Sequence, residues 1–245
     1  MAIFTCRISG VIIETPRNRI VRLALDGRAP AFEAGQYALL GDHGQPVRKP
    51  YSIASSPAQA ADDGELEFLI QVSRDESPGT HLAELTAGRL VDVDGPFGSF
   101  VLPAGVRPRA IALIGGGTGI APLRAMLWQI LSESPATRIA VLQSARTPDE
   151  LPYSGELRSL ASEGRIALVE TVTREAPPSW HGHRGRVDAR TLGLLVDRPD
   201  TWCFVCGPDS LVEAVPRLLA GVGVNAANIR TEHWADEQAA DHGSA

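Results

Sequence analysis

Between Pro103 and Pro108 the chain changes its periodicity, and no other feature limits the possible folds so strongly. Before that point six short β-rich runs follow one another: Ile8–Glu14, Ile20–Asp26, Gln36–Leu40, Tyr51–Ala54, Leu66–Ser73 and Leu90–Asp94. Several show period-two alternation, as in Val21, Leu23 and Leu25 against Arg22 and Ala24, and Gly, Pro, Asp or Asn bound them. Short strands at that density predict a six-stranded antiparallel barrel, with one helix expected around Thr80–Leu85. Beyond Pro108, strands alternate with helices: Arg109–Ile114 with Gly119–Ser132, Arg138–Gln143 with Ser154–Ser162, Ile166–Val172 with Asp188–Leu195, and Thr201–Val205 with Ser210–Ala220. A last strand follows at Asn228–Glu232. That alternation predicts a parallel sheet covered on both faces by its crossover helices. The expected class is β followed by α/β: a barrel over residues 1–104, a doubly wound parallel-sheet domain over 105–234, and a polar, acidic tail over 235–245 that is expected to be disordered.

Charge and composition remove several function classes. The 23 basic and 29 acidic residues leave a net charge of −6, and both halves of the chain are acidic, so neither is built to hold nucleic acid by counterion release. Cys6, Cys203 and Cys206 are too few for a disulfide framework and offer no zinc or iron–sulfur spacing; Cys203 and Cys206 read as a coincidence of strand alternation rather than a redox pair. His181 and His183 have no third ligand in view, so no metal is expected. Residues 110–131 are long and apolar enough to suggest a membrane span, but they contain four glycines, Pro122 and a central Arg124 that would cost about 3 kcal/mol there. A strand, a glycine turn and a helix explain them better, and no membrane insertion is expected. The N-terminus lacks a signal-peptide pattern, so the expected compartment is the cytoplasm.

The sharpest local motif is Gly115-Gly116-Gly117-Thr118-Gly119, with Pro122 three residues on, between an apolar strand and a helix. Glycines at such a turn let backbone N–H groups approach a pyrophosphate, and the helix N-terminus adds partial positive charge. The letters are not those of Gly-x-Gly-x-x-Gly, and a purely structural glycine turn is the competing explanation. The next strand ends in Arg146, the one after it in Arg174, and Arg184 and Arg186 follow a turn. An arginine at that edge favours a ribose 2′-phosphate where an acidic residue would favour the free hydroxyl, so these residues point to NADPH.

The run Arg48-Lys49-Pro50-Tyr51-Ser52-Ile53-Ala54-Ser55-Ser56-Pro57 places cations, an aromatic ring and hydroxyls on one short strand, and Lys49 is the only lysine in the chain. Together with Gly95-Pro96-Phe97-Gly98, Gly115–Pro122 and Cys206-Gly207-Pro208, in this order, it resembles the ferredoxin–NADP⁺ reductase superfamily of flavoproteins over residues 3–234.

That resemblance implies a flavin-binding barrel followed by a nicotinamide-binding domain. It implies that Tyr51 stacks on the isoalloxazine, that Ser52 lies near its N5, and that Gly79 and Thr80 open a helix cradling the FAD pyrophosphate. Lys49 falls where the family has the arginine that meets the flavin phosphate; either Lys49 or Arg48 takes that place here. Gly117, Thr118, Gly119, Arg146, Arg174, Arg186, Gly207 and Pro208 would hold the nicotinamide coenzyme, and Cys206 would lie beside its reactive ring. Glu232 resembles a glutamate implicated in proton or nicotinamide handling, and Trp234 an aromatic covering the flavin, though eleven residues follow it here. The implied reaction is hydride transfer from NADPH to FAD, then electron transfer to a separate ferredoxin, flavodoxin or oxygenase component. A nicotinamide-only dehydrogenase and an electron-transfer subunit of a larger complex remain the alternatives.

Overall fold

In the first half, strand polarity follows which face of each strand meets apolar neighbours. The computed structural model describes residues 3–28, 30–73, 77–105 and 108–233. Its first sheet contains β1 (Phe4–Thr15), β2 (Asn18–Ala24), β3 (Tyr37–Asp42), β4 (Lys49–Ser52), β5 (Glu65–Gln71) and β6 (Leu90–Phe97), in the order β4-β3-β6-β1-β2-β5 with every neighbour antiparallel. The edges curl together through a bridge between Ile53 and Phe68 and the 2.8 Å bond from the Ala54 amide to the Glu67 carbonyl, which turns the sheet into a barrel. Inward-facing Cys6, Ile8, Val21, Leu23, Leu40, Leu66, Phe68, Ile70, Val91 and Val93 fill it.

β5 departs from simple alternation, since its residues 66–70 are all buried. Leu66, Phe68 and Ile70 face the barrel interior, while Glu67 and Leu69 face the second half of the chain. Leu69 and its cross-strand partner Ile20 join the core under α2.

One local expectation fails here. The segment Thr80–Leu85 forms no helix. The Ala83 amide donates 2.8 Å to Asp42 Oδ2, and the His81 carbonyl accepts from the Asp42 amide, so β3 captures groups that a helix would have paired internally. A helix forms instead at α1 (Pro57–Asp63), where Ser56 and Gln59 make a reciprocal capping box and Pro57 occupies the first turn.

The second sheet holds β7 (Ala110–Gly116), β8 (Arg138–Ala145), β9 (Ala167–Val172), β10 (His183–Arg184), β11 (Trp202–Gly207) and β12 (Ile229–His233), all parallel, in the order β10-β9-β8-β7-β11-β12. Only the two-residue β10 was not expected. α2 (Ile120–Glu133) and α3 (Ser154–Ser162) cover one face over Ile111, Leu113, Val141, Phe204 and Cys206. α4 (Ala189–Gly193) and α5 (Asp209–Gly221) cover the other over Ala112, Ile114, Leu142, Cys203 and Val205. The chain runs outward from β7 to β10, then returns to β11 on the opposite side of β7. The C-terminal ends of β7 and β11 therefore flank the point where strand order reverses, the usual ligand crevice of such sheets. The stretch that mimicked a membrane span is β7, a tight turn and α2; no described helix is long and apolar enough to cross a membrane.

Candidate functional site: the corner between the two sheets

Three glycines at the end of β7 have packing reasons of their own. A Cβ on Gly119 would overlap the Cys206 carbonyl and stand 2.6 Å from the Gly207 nitrogen; one on Gly116 would meet Pro208 and Leu211 at 2.9 Å; one on Gly115 would crowd Ile120. Gly119 thus lets the turn into α2 reach the β11 backbone, Gly116 admits the start of α5, and Gly115 admits the start of α2. Gly117 differs: its φ is +55°, a Cβ would point into open space, and with Thr118 it forms the 3-10 turn that enters α2. Packing does not explain Gly117; its left-handed φ does, and the space beside it leaves the backbone open.

Next to this corner Glu232, on β12, is paired in register with Cys206 on β11, and the Cys206 thiol lies 3.9 Å from Glu232 Oε2. Burial pushes the Glu232 carboxyl up to about 7, only partly opposed by the Cys206 contact. The barrel reaches the same place. A Cβ on Gly98 would lie 3.9 Å from Glu232 Oε1 and 3.1 Å from the Tyr37 ring, and Tyr37 is the cross-strand partner of Ser52. Ser52, Tyr37, Gly98, Glu232 and Cys206 thus form a continuous seam across the two sheets. Cys203 and Cys206 face opposite cores, so the Cys-x-x-Cys spacing makes no thiol pair; burial raises the Cys203 thiol to about 12.

On β4, alternation puts Lys49 and Tyr51 opposite Leu40 and Ala38, and Ser52 on the other face. Ser52 is 5% exposed and its hydroxyl is buried with no hydrogen-bond partner among the described residues. Arg48 turns to Asp92, 3.4 Å away. Burial alone would raise the Asp92 carboxyl, but bonds from His43, the Gly44 amide and Thr5 outweigh it and hold it at about 2. Gly79 and Thr80 lie in the turn that replaces the expected helix, so a helix N-terminus is not what they offer.

At the far edge, Thr173 and Arg174 donate their amides to the carbonyls of Ala145 and Arg146, which fixes the ends of β8 and β9 side by side. Arg146, Arg174 and Arg186 are exposed and form no ion pair with a described residue. Arg184 is spent on its own loop, donating to the Ala176 and Pro177 carbonyls at 3.1 Å. Trp234 and the tail 235–245 lie outside the described residues. A cavity of about 390 Å³ opens elsewhere, beside Glu33, Leu102 and the C-terminal end of α2, and contains none of these residues. No cluster of metal-ligating side chains occurs among the described residues.

Residues 6–102 match an oxidoreductase FAD-binding domain and residues 113–217 an oxidoreductase NAD-binding domain. The chain is 33% identical over 220 residues to a ferredoxin–NADP reductase B of Sorangium cellulosum, covering 85% of this chain and 88% of that one. It belongs to the ferredoxin–NADP reductase-like family of flavin oxidoreductases. A second relative, an NADH-cytochrome b5 reductase 2 of Scheffersomyces stipitis, is 32% identical over 70% of this chain and 58% of its own length. Among solved structures, the Amycolatopsis cytochrome P450 reductase superposes with a TM-score of 0.81 at 26% identity, over 95% of this chain and 69% of that one. A Neisseria gonorrhoeae ferredoxin NADP⁺ reductase with bound FAD and NADP shares the fold with a TM-score of 0.79 at 21% identity, over 95% and 99%.

As a member of this family the chain is an enzyme with both a flavin-binding and a nicotinamide-binding domain, and the nicotinamide-only alternative falls away. Its own residues fit a flavin: the orphaned Ser52 hydroxyl lacks a partner that a ring nitrogen would supply, and the half-buried Tyr51 ring stands on the other face of the same strand. Sequence reasoning missed Arg124, Tyr153 and Glu156, which bind the two sheets together, and His81, which holds Tyr51. None of the four belongs to a local motif.

Proposed function

We propose that this protein is an NADPH-dependent, FAD-containing oxidoreductase that delivers electrons to a separate acceptor protein, a ferredoxin, flavodoxin or oxygenase component. The observation that carries the reading is the seam of Ser52, Tyr37, Gly98, Glu232 and Cys206, where the barrel and the parallel sheet meet over the switch point. Tyr51 and Ser52 would hold the flavin ring, and the turn at Gly117–Gly119 would take the coenzyme pyrophosphate. Lys49 or Arg48, the two cations on this strand, would meet the flavin phosphate, Arg48 lying 3.4 Å from Asp92. When bound, FAD exchanges electron pairs for single electrons; the protein's contribution is to orient nicotinamide against flavin and exclude water. Cys206 and Glu232 border that meeting place, and Glu232 is poised to hold or release a proton near pH 7.

Arg146 and Arg174, exposed and without an ion pair among the described residues, support NADPH, with Arg186 two residues beyond β10 as a third cation. A second reading, NADH as donor, draws on the NADH-cytochrome b5 reductase relative. Steady-state kinetics with both coenzymes separate the two. The expected result is a preference for NADPH that falls roughly tenfold or more in Arg146→Ala through KM, since a charge-assisted bond to phosphate contributes about 1.5–3 kcal/mol. A wild-type preference for NADH overturns the assignment, and FMN released on heating overturns FAD.

A further inference from the structure

We propose that His81 is a positioning residue that acts through Tyr51, locking the aromatic platform against which the flavin packs; this rests on the flavin reading above. His81 is 1% exposed, and its Nε2 lies 2.7 Å from the Tyr51 hydroxyl. The two rings are 21° from parallel with centroids 5.6 Å apart, so the contact fixes the plane of the phenol as well as the place of its oxygen.

The surrounding chain is built to present this imidazole. Its backbone carbonyl accepts the Asp42 amide at 2.8 Å, and two residues on the Ala83 amide donates 2.8 Å to the Asp42 carboxylate. The next residue, Leu82, is buried in the barrel core. On the other side Gly79 leaves room: a Cβ there would sit 3.2 Å from the imidazole Nδ1. These contacts explain why the segment is a pinned turn rather than the expected helix. A helix would free Ala83 from Asp42 and carry His81 off Tyr51.

Burying an imidazole is costly unless its polar atoms are used, and an apolar side chain would fill the same space without that cost. What the imidazole adds is a fixed phenol. A half-buried tyrosine whose hydroxyl is not held keeps some rotamer freedom, and a ligand that needs one orientation must bear that ordering on binding. Whichever partner carries the shared proton, the hydrogen bond removes that freedom beforehand.

The test uses the full chain with FAD as the probe. FAD dissociation constants and the visible circular dichroism of the bound flavin are measured for wild type, His81→Phe, His81→Gln, Tyr51→Phe and the double variant His81→Phe/Tyr51→Phe. His81→Phe is expected to weaken FAD binding roughly fivefold, the worth of one net hydrogen bond, and to alter the flavin dichroism. Gln, which keeps a polar atom near Nε2, restores most of both. The double variant is no weaker than either single one, because both remove the same bond. Additive losses, or a lower melting temperature with FAD binding and dichroism unchanged, overturn the proposal and leave His81 a core filler. Should His81→Phe fail to fold, Tyr51→Phe decides: unaltered FAD binding and dichroism there refute it. A wild-type chain that binds no FAD overturns the flavin reading itself, an outcome distinct from the others.

Discussion

Arg124 ties the two halves of the molecule together, and its replacement should show how much that tie is worth. Its guanidinium makes a bidentate pair with Glu156 at 2.8 and 2.7 Å, donates 2.9 Å to the Ala54 carbonyl, and lies 3.2 Å from Glu67 and 4.6 Å from the centre of the Tyr153 ring. Ala54 and Glu67 belong to the barrel; Glu156 and Tyr153 belong to the second domain. Tyr153 extends the contact, donating its hydroxyl to Glu67 at 3.2 Å while its amide is held by Glu14 of β1. In Arg124→Met the stem is kept and the charge is lost, which leaves two carboxylates without their shared cation. Removing one partner of a buried pair costs about 3–5 kcal/mol. Glu67 keeps Arg22 at 3.0 Å and the Glu156 side chain is 25% exposed, which places this case near the lower end, about 3 kcal/mol. For a chain of this size that corresponds to a fall in melting temperature of roughly 6–12 °C. Calorimetry should show the fall, and the single transition should broaden or split because the lost contact lies between domains. Arg124→Met/Glu156→Gln should recover part of the loss by removing one stranded charge. A change below about 0.5 kcal/mol in Arg124→Met, typical of a surface pair, would refute the reasoning.

Two further outcomes follow from the corner between the sheets. Glu232 has its carboxyl raised to about 7 by burial, so the folded state holds that proton more tightly than the unfolded chain; its contribution is full below about pH 4.5 and is lost as pH rises through 7. Glu232→Gln should therefore flatten the decline in melting temperature between pH 5 and pH 8, and an unchanged slope would contradict the burial argument. The glycines should separate by role: Gly119→Ala should lower stability by about 1–3 kcal/mol through collision with β11, whereas Gly117→Ala should keep the fold to within about 1 kcal/mol and chiefly raise the coenzyme KM. Equal melting temperatures for the two variants would show that the corner relaxes freely.

The strands and helices were legible because their signals are local. Apolar periodicity marked Ser154–Ser162 and the glycine turn into α2 without reference to the rest of the chain. The failure at Thr80–Leu85 has a non-local cause, since Asp42 claims the Ala83 amide from 41 residues away. α1 carries a readable signature in Ser56, Pro57 and Gln59, but Ser56 and Pro57 also close the run that reads as a binding motif, and Gln59 lies two residues beyond it. Lys49, Tyr51, Ser52, Cys206 and Glu232 were picked out by motif. Arg124 looked like no more than an obstacle to a membrane span, because its partners come from three separate segments that only the fold assembles. His81 was hidden for the same reason.

β5 has no face turned to water, and that governs how such a protein can be divided or inherited. Cutting the chain between Pro103 and Pro108 would return Ile20, Leu69 and Phe100 to solvent from one fragment and the apolar side of α2 from the other, with Glu67 and Arg124 stranded on opposite pieces. Neither fragment retains a complete surface. The barrel and the parallel sheet, distinct as they are in topology, therefore make one cassette whose halves each expose apolar surface when parted.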